Sequence, residues 1–259
     1  MTGAPSCPVF DTHFHIIDPR FPVMENQGFL PPLFTVEDYR ARTVALNIRA
    51  GTVIAGSFQG TQTEYMYDAL AKFGPTFVGV IQVPATVTDA EILKLNAAGV
   101  RAVRFNLYRG GSAGIEDLDR LARRVHDIAG WHAELYVDAS TLGPVFETVA
   151  ALPKASIDHL GMTQAGMPHL LKLAERGLKV KATGFGRTEV DVPAALRDLA
   201  RANPDCLMFG SDLPSQRARR PFEPSDMVLI ADTLGEAAAR KAFWDNALAF
   251  YSPNQVPHV

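Results

Sequence analysis

The amino-acid sequence predicts an α/β fold, a closed (β/α)8 TIM barrel built from a single domain over residues 1–259. Short apolar runs alternate along the whole chain with amphipathic stretches of about ten to fifteen residues, which is the pattern of repeated βα units. The length of 259 residues is close to the roughly 250 residues of such a barrel. No linker of different composition divides the chain. An open doubly wound sheet is the alternative that the same alternation allows.

The first predicted strand leads into a proline-rich connection, which argues against regular structure there. The first helix begins after Thr35, whose hydroxyl can cap it, and Glu37 and Asp38 place acids in its first turn. The predicted strands span residues 9–14, 52–58, 77–83, 100–105, 133–137, 155–158, 178–182 and 207–209. The predicted helices span residues 36–46, 64–73, 88–97, 115–128, 142–150, 168–176, 192–202, 226–234 and 237–250.

The composition excludes several classes of binding partner. The chain carries 25 basic and 28 acidic residues, a net charge of −3, so it lacks the basic excess of a nucleic-acid binder. It contains no apolar run of about 18 residues, so we expect no membrane span.

Residues Met1 to Pro8 do not resemble a secretory signal. The two cysteines, Cys7 and Cys206, fit a reducing cytoplasm, although a single disulfide bridge between them stays open. The sequence leaves open whether homo-oligomers form.

Polar residues stand at the ends of three predicted strands, where barrel enzymes carry their catalytic groups. His13 and His15 lie at the end of strand 1 and point the same way, since side chains alternate along a strand. His159 follows strand 6 and Asp212 follows strand 8. Each also has a structural explanation, which is a solvated strand end for His13 and His15, a structural histidine for His159 and a turn aspartate for Asp212. Their convergence on one barrel mouth predicts a metal site or an oxyanion and proton-transfer site.

These motifs, strand-1 His-x-His, strand-6 Asp-His-x-Gly and strand-8 Gly-Ser-Asp-x-Pro, resemble the amidohydrolase superfamily from Phe10 to about Pro214. More narrowly, the chain resembles its 2-pyrone-4,6-dicarboxylate lactonases and related sugar lactonases. The resemblance implies an amidohydrolase-like barrel and a hydrolase that opens a lactone ring of a small carboxylate-bearing substrate. It also implies five substrate-binding residues, which are Ser57, Arg104, Arg109, Tyr136 and Arg187.

Strand 5 lacks the histidine or lysine that metal-dependent members of the superfamily commonly add, and His132 precedes that strand and is expected to be solvated. The lactonase branch is associated with hydrolysis without a required metal, so we expect no required cofactor. His13, His15 and Asp212 could still hold zinc weakly, with His159 or water completing the site.

The layout suggests a mechanism in which Asp212 activates water while His159, His13 and His15 polarise the lactone carbonyl. The segment after Pro214 departs from the lactonase pattern, and its Arg217 could favour an anionic substrate or belong to a solvated loop. Two alternatives stay open. One is a metal-dependent amidohydrolase or decarboxylase acting on a small anion, and the other is an inactive barrel that binds such an anion.

Overall fold

Eight parallel strands form one sheet in the computed structural model, which describes Pro5 and residues 7–254. The strands follow one another around the sheet in chain order, so each pairs with its sequence neighbour. This arrangement confirms the predicted (β/α)8 barrel. The strands are β1 (Val9–Phe14), β2 (Ile48–Ile54), β3 (Phe77–Ile81), β4 (Val100–Asn106), β5 (His132–Tyr136), β6 (Ala155–Ile157), β7 (Lys179–Ala182) and β8 (Leu207–Phe209).

Backbone hydrogen bonds join the last strand to the first just beyond β8. The His15 amide donates to the Leu213 carbonyl at 2.8 Å, and the Asp212 amide donates to the His13 carbonyl at 2.7 Å. The Thr12 hydroxyl adds a bond to the Phe209 carbonyl at 2.7 Å. The seam therefore fixes the end of β1 against the segment that carries Asp212.

Helices cover the outside of the sheet, and several differ from the predicted spans. The segment predicted as one helix over 237–250 contains a π-helical turn at Lys241–Asp245, and the one predicted over 142–150 begins as a 3₁₀ helix, Ala139–Val145, which contains Pro144. The α-helices are α1 (Val36–Thr43), α2 (Glu64–Phe73), α3 (Asp89–Ala97), α4 (Leu118–Ala129), α5 (Phe146–Ala150), α6 (Met167–Glu175), α7 (Val192–Ala202), α8 (Pro224–Leu234), α9 (Glu236–Arg240) and α10 (Asn246–Tyr251). None of the helices in the described ranges is long and apolar enough to span a membrane.

The second strand was predicted four residues too late, over 52–58 instead of Ile48–Ile54. The chain leaves the sheet at Gly56, whose amide donates to the Gln59 side chain at 2.8 Å, and residues Ser57–Gln59 form a 3₁₀ turn. This local bond replaces the ladder bonds that a continuing strand would need. The turn carries Ser57 to the barrel mouth.

Aromatic and aliphatic side chains close the lower end of the barrel. Phe10 stacks on Tyr251 of α10 with ring centroids 5.5 Å apart, and both are buried. His132, which was expected to be solvated, is buried there instead because Phe250 and Tyr251 cover its ring. Cys7 and Cys206 are free thiols. Among the described residues, Phe10, Phe250 and Tyr251 therefore cover the amino-terminal end of the barrel.

Candidate active site

Three side chains from three predicted strand ends meet inside the barrel mouth: His13, His159 and Asp212, which we call the trio. One ligand-type atom from each lies within 4.8 Å of the others. The His13 Nε2 atom lies 3.8 Å from Asp212 Oδ1, and the His13 and His159 ring centroids are 4.8 Å apart. The three are nearly fully buried. The sequence-predicted convergence of these residues is present in the structure.

One buried polar atom of each member of the trio has no hydrogen-bond partner in the described structure. These atoms are His13 Nε2, His159 Nδ1 and Asp212 Oδ1. Buried polar groups are nearly always paired, with protein or with bound water, because an unpaired one costs about 1–3 kcal/mol. His13 Nε2 and Asp212 Oδ1, 3.8 Å apart, therefore mark a position for a water molecule or a reacting substrate group.

The backbone at two members of the trio has left-handed geometry. His159 has a φ of +51° and Asp212 a φ of +58°. Non-glycine residues adopt this region rarely, and such positions concentrate at functional sites. Gly184 lets the β7 loop approach, because a Cβ there would collide with the His159 ring and the Arg187 side chain. His159 and Asp212 therefore reach the barrel mouth from loops in a left-handed backbone conformation, and not from a regular strand.

Asp212 shares its second oxygen with Arg187. The Arg187 Nε and Nη2 atoms lie 2.8 and 2.6 Å from Asp212 Oδ2. The other oxygen, Oδ1, is not bound by Arg187 and lies 3.8 Å from His13 Nε2. Burial raises the pKa of Asp212 to about 6, and the Arg187 guanidinium partly offsets that rise. At neutral pH the carboxylate is therefore ionised and basic enough to take a proton from water.

His15 faces the pocket but has a different hydrogen-bonding role from the one predicted. Its Nδ1 lies 2.9 Å from the Ile54 carbonyl oxygen, which can only accept, so Nδ1 carries the proton. Burial and the nearby Arg104 lower the pKa of His15 to about 3, so the ring stays neutral. Its Nε2 is then an acceptor, which corrects the expectation that His15 donates to the lactone oxyanion. It can instead accept a hydrogen bond from a substrate hydroxyl.

Four buried charged side chains, which we call the ion cluster, lie beneath the trio. Arg104 pairs with Glu134 and, at 2.9 Å, with Asp158. Lys181 pairs with Glu134 and lies 3.5 Å from Asp158. Each is at most 2% exposed. Two cations and two carboxylates balance, as buried charges require.

The ion cluster changes the interpretation of Arg104. A buried arginine on β4 was expected to find its partner in a substrate carboxylate, but Glu134 and Asp158 supply that partner within the protein. Arg104 still lines the floor of the pocket. Its carboxylate-binding role therefore stays a prediction, and its structural role in the ion cluster is evident.

A cavity of about 40 Å³, lined by His159 of the trio, opens toward solvent at the barrel mouth. Three guanidinium groups besides Arg104 face it, those of Arg109, Arg187 and Arg217, and Tyr136 stands between them, with its hydroxyl 3.4 Å from Arg187 Nη1. The lining residues are His15, Phe29, Gly56, Ser57, Phe58, Arg104, Asn106, Arg109, Tyr136, His159, Arg187, Gln216 and Arg217. All five residues assigned by resemblance therefore line one pocket.

The strand-1 and strand-8 loops meet over this cavity at Asn26. The Ser57 hydroxyl donates to Asn26 Oδ1 at 3.0 Å, and Asn26 Nδ2 donates to the Arg109 carbonyl at 3.1 Å. Arg217 binds the Asn26 carbonyl and lies over the Phe29 ring at 4.5 Å. Arg217 thus lines the pocket, and its contribution to binding an anionic substrate stays a prediction.

The trio could be considered as a zinc site, since two imidazole nitrogens and one carboxylate oxygen suit that ion. The geometry groups His159, and not His15, with His13 and Asp212, which replaces one ligand of the predicted set. The surroundings oppose a cation, because Arg187 already neutralises Asp212, and Lys181 and Arg104 lie beside His13. A second group of ligand type, His13, Glu134 and Asp158, contacts the Lys181 ammonium at every member.

Sequence reasoning missed Glu134 and Lys181. Both stand inside strands between apolar neighbours, in Ala133-Glu134-Leu135 and Val180-Lys181-Ala182. A lone charge in a buried strand must be paired, and this signal, applied to both strands, would have indicated an internal ion pair.

Comparison with known proteins gives consistent results. The family model described as amidohydrolase matches residues 10–252. D-galactarolactone isomerase from Agrobacterium fabrum is 28% identical over 95% of this chain and 91% of its own length. A 2-pyrone-4,6-dicarboxylate hydrolase from Comamonas testosteroni is 26% identical over 95% and 90%. An apo crystal structure from Agrobacterium tumefaciens superposes with a TM-score of 0.84 at 25% identity over 98% of both chains. The structure of a probable 2-pyrone-4,6-dicarboxylic acid hydrolase from Acinetobacter baumannii, with citric acid bound, gives 0.80 at 20% identity over 95% of this chain and 100% of that one.

Proposed function

Because the chain belongs to the amidohydrolase family, we propose that it is a hydrolase that opens the lactone ring of a small carboxylate-bearing substrate. The observation that carries this proposal is the convergence of His13, His159 and Asp212, with the unpartnered His13 Nε2 and Asp212 Oδ1 atoms 3.8 Å apart, beside a pocket lined by arginines. A base and imidazole groups beside one reacting position suit the attack of water on a carbonyl carbon. The two curated relatives, which act on lactones by their names, support the same chemistry.

Asp212 is the general base of the proposed reaction. Its free Oδ1 takes a proton from water, and the resulting hydroxide adds to the lactone carbonyl carbon. The bond between that carbon and the ring oxygen then breaks, and Asp212 returns the proton to the departing oxygen. The product is the open hydroxy acid, with one water consumed.

The imidazoles of His13 and His159 stabilise the oxyanion that forms on the carbonyl oxygen. Burial and neighbouring cations, Lys181 for His13 and Arg187 for His159, lower the pKa of both rings. Neutral imidazoles donate hydrogen bonds without competing for the Asp212 proton. Donors held in a dry site stabilise a developing charge strongly, since no solvent has to reorganise.

The guanidinium groups around the pocket bind the substrate carboxylate. Arg109 and Arg217 lie at the mouth, and Arg187 lies between the mouth and Asp212. Arginine binds carboxylates in a bidentate manner and so fixes the orientation of the ring. A small anionic substrate is therefore the proposed partner.

We propose that the reaction requires no metal. Should a divalent ion bind, His13, His159 and Asp212 would hold it, and it would supply Lewis-acid polarisation of the carbonyl. Extended treatment with a chelator followed by metal analysis tests this. We expect full activity in metal-free protein, and activity that is lost with the metal and restored by zinc would instead favour the metal-dependent amidohydrolase.

A second candidate, lactone isomerisation, is favoured by the relative named D-galactarolactone isomerase. There a substrate hydroxyl, and not water, would attack the carbonyl, and His15 Nε2 could accept its hydrogen bond. Turnover in ¹⁸O-labelled water separates the two reactions. Hydrolysis places one label in the new carboxylate, whereas isomerisation gives a new lactone without label.

The proposed function is tested with a panel of lactones of carboxylate-bearing sugar acids and pyrones, and a pH indicator that reports released acid. We expect acid release from carboxylate-bearing lactones and little from neutral lactones of the same ring size. Silence across the whole panel, with folded protein, would contradict the proposal and favour the inactive, anion-binding barrel.

The pH dependence of catalysis should report Asp212. Because the base must be ionised and burial raises its pKa to about 6, we expect kcat/KM to rise with pH through about 6 and then to level off. Replacing Arg187 with glutamine removes a cation that lowers the pKa of Asp212, so the rise in kcat/KM should move to higher pH. If kcat/KM shows no rise near pH 6, or if that rise moves to lower pH in the Arg187→Gln variant, Asp212 is not the base.

Arg217 should contribute to substrate binding more than to chemistry. The Arg217→Met variant keeps much of the packing on Phe29 but loses the charge at the mouth. We expect KM to rise at least about tenfold with kcat changed little, since a charged hydrogen bond contributes about 1.5–3 kcal/mol. Arg219→Met serves as a control, because Arg219 pairs with Glu189 on the surface. An unchanged KM in the Arg217→Met variant would remove Arg217 from substrate binding.

A further inference from the structure

Lys181 is buried beneath the trio, and the proposed mechanism gives it no role. It lies on β7, is fully buried, and places its ammonium group among three acceptors. It pairs with Glu134, lies 3.5 Å from Asp158 Oδ1, and lies 3.4 Å from His13 Nδ1 with hydrogen-bond geometry. It therefore joins the ion cluster to His13 of the trio by a hydrogen bond.

The chemistry of lysine fixes the direction of the bond to His13. A lysine ammonium has three donors and no acceptor, whereas each nitrogen of a neutral imidazole either donates or accepts. His13 Nδ1 must therefore accept, and the ring proton must sit on Nε2. Asp158 Oδ1 also lies 3.4 Å from His13 Nδ1, but it makes no hydrogen bond to it.

We propose that Lys181 is a positioning residue that holds His13 in the tautomer protonated at Nε2. This His13 donates from Nε2 toward the side on which the unpartnered Asp212 Oδ1 lies, 3.8 Å away. The role of this tautomer in catalysis rests on the proposed function, since the Nε2 proton of His13 would be donated to the lactone oxyanion. The tautomer itself is a property of the protein and can be measured without any substrate.

The same tautomer works against metal binding at the trio. A histidine that ligates a metal through Nε2 must be deprotonated there, and its other nitrogen usually donates to a carboxylate or carbonyl group. His13 Nδ1 faces an ammonium donor instead. Lys181 thereby makes His13 a hydrogen-bond donor and raises the cost of placing a second cation beside it.

The test is the ¹⁵N spectrum of the histidine rings in protein labelled at histidine. Long-range ¹H–¹⁵N correlations distinguish a protonated from a bare ring nitrogen, and the His13→Asn variant assigns His13 among the seven histidines. In the wild type we expect a protonated Nε2 and a bare Nδ1. In Lys181→Met the Asp158 carboxylate becomes the only neighbour of Nδ1 among the groups named above, so the proton should move to Nδ1.

Lys179→Met is the matched control. Lys179 lies two residues earlier on β7, and its ammonium bonds the Asp205 carbonyl at 2.6 Å at the opposite end of the strand. We expect it to leave the His13 tautomer unchanged. If Lys181→Met does not fold, the wild-type spectrum alone decides, because a protonated Nδ1 there would overturn the proposal. An unchanged tautomer in folded Lys181→Met would overturn it too.

Two further readouts complete the test. Loss of one oxyanion donor should lower kcat of Lys181→Met about 100-fold with little change in KM. Calorimetric titration with zinc should show at least about tenfold tighter binding to Lys181→Met than to the wild type. Equal zinc affinity would contradict the second part of the proposal. Failure of every lactone to react would remove the proposed function and leave the tautomer result standing.

Discussion

Replacing Asp212 with asparagine is expected to lower kcat for lactone hydrolysis by about 10³-fold, in the range of an acid–base group that acts in both halves of a reaction. Asparagine has the same size, and its amide oxygen can still accept from Arg187, but it cannot take a proton from water. Binding of the open hydroxy acid product, measured by calorimetry, should remain detectable because the arginines of the pocket are intact.

The control is Asp18→Asn. Asp18 is also buried and pairs with Arg20 at 2.7 Å, but it lines neither the cavity at the barrel mouth nor the pocket that Asp212 lines. It should retain kcat. Near-normal turnover of Asp212→Asn, with product binding intact, would remove Asp212 from its role as the base.

Replacing Glu134 with alanine is expected to destabilise the fold by about 3–5 kcal/mol, the cost of breaking a buried ion pair by removing one partner. Glu134 is fully buried and pairs with both cations of the ion cluster, Arg104 and Lys181. Its loss leaves two buried cations with the single carboxylate of Asp158. The melting temperature should fall by about 10 °C, as judged from the size of the domain, and urea unfolding should give the free-energy change directly.

Two variants sharpen this result. Glu147→Ala breaks the ion pair to Arg176 on the surface, where water screens it, and should leave the melting temperature nearly unchanged. Glu134→Gln keeps the shape and an acceptor oxygen, so it should be less harmful than alanine. Equal stability of Glu134→Ala and the wild type would contradict the account of the ion cluster.

The sequence predicted the barrel well because its strands and helices follow simple periodicities. The errors fall where a local contact overrides periodicity, as at the end of β2, where Gln59 bonds the Gly56 amide. The buried position of His132 was missed for a related reason, since its cover comes from Phe250 and Tyr251, more than a hundred residues later in the chain. Contacts between distant segments leave no mark on a local pattern.

The trio could be located from the sequence because barrel topology brings strand ends together wherever they stand in the chain. What each member does could not be inferred in the same way. The proton on His15 depends on the carbonyl of Ile54, and that on His13 depends on Lys181. Such partners lie on other strands, and only the three-dimensional register of the barrel identifies them.

The most direct measurement is a crystal structure of the Asp212→Asn variant with an intact carboxylate-bearing lactone. The account predicts that the lactone carbonyl oxygen lies within hydrogen-bond distance of His13 Nε2, that the carbonyl carbon faces position 212, and that the carboxylate contacts Arg109, Arg187 or Arg217. A lactone bound with its carbonyl turned away from His13 and His159, or bound outside this cavity, would contradict it.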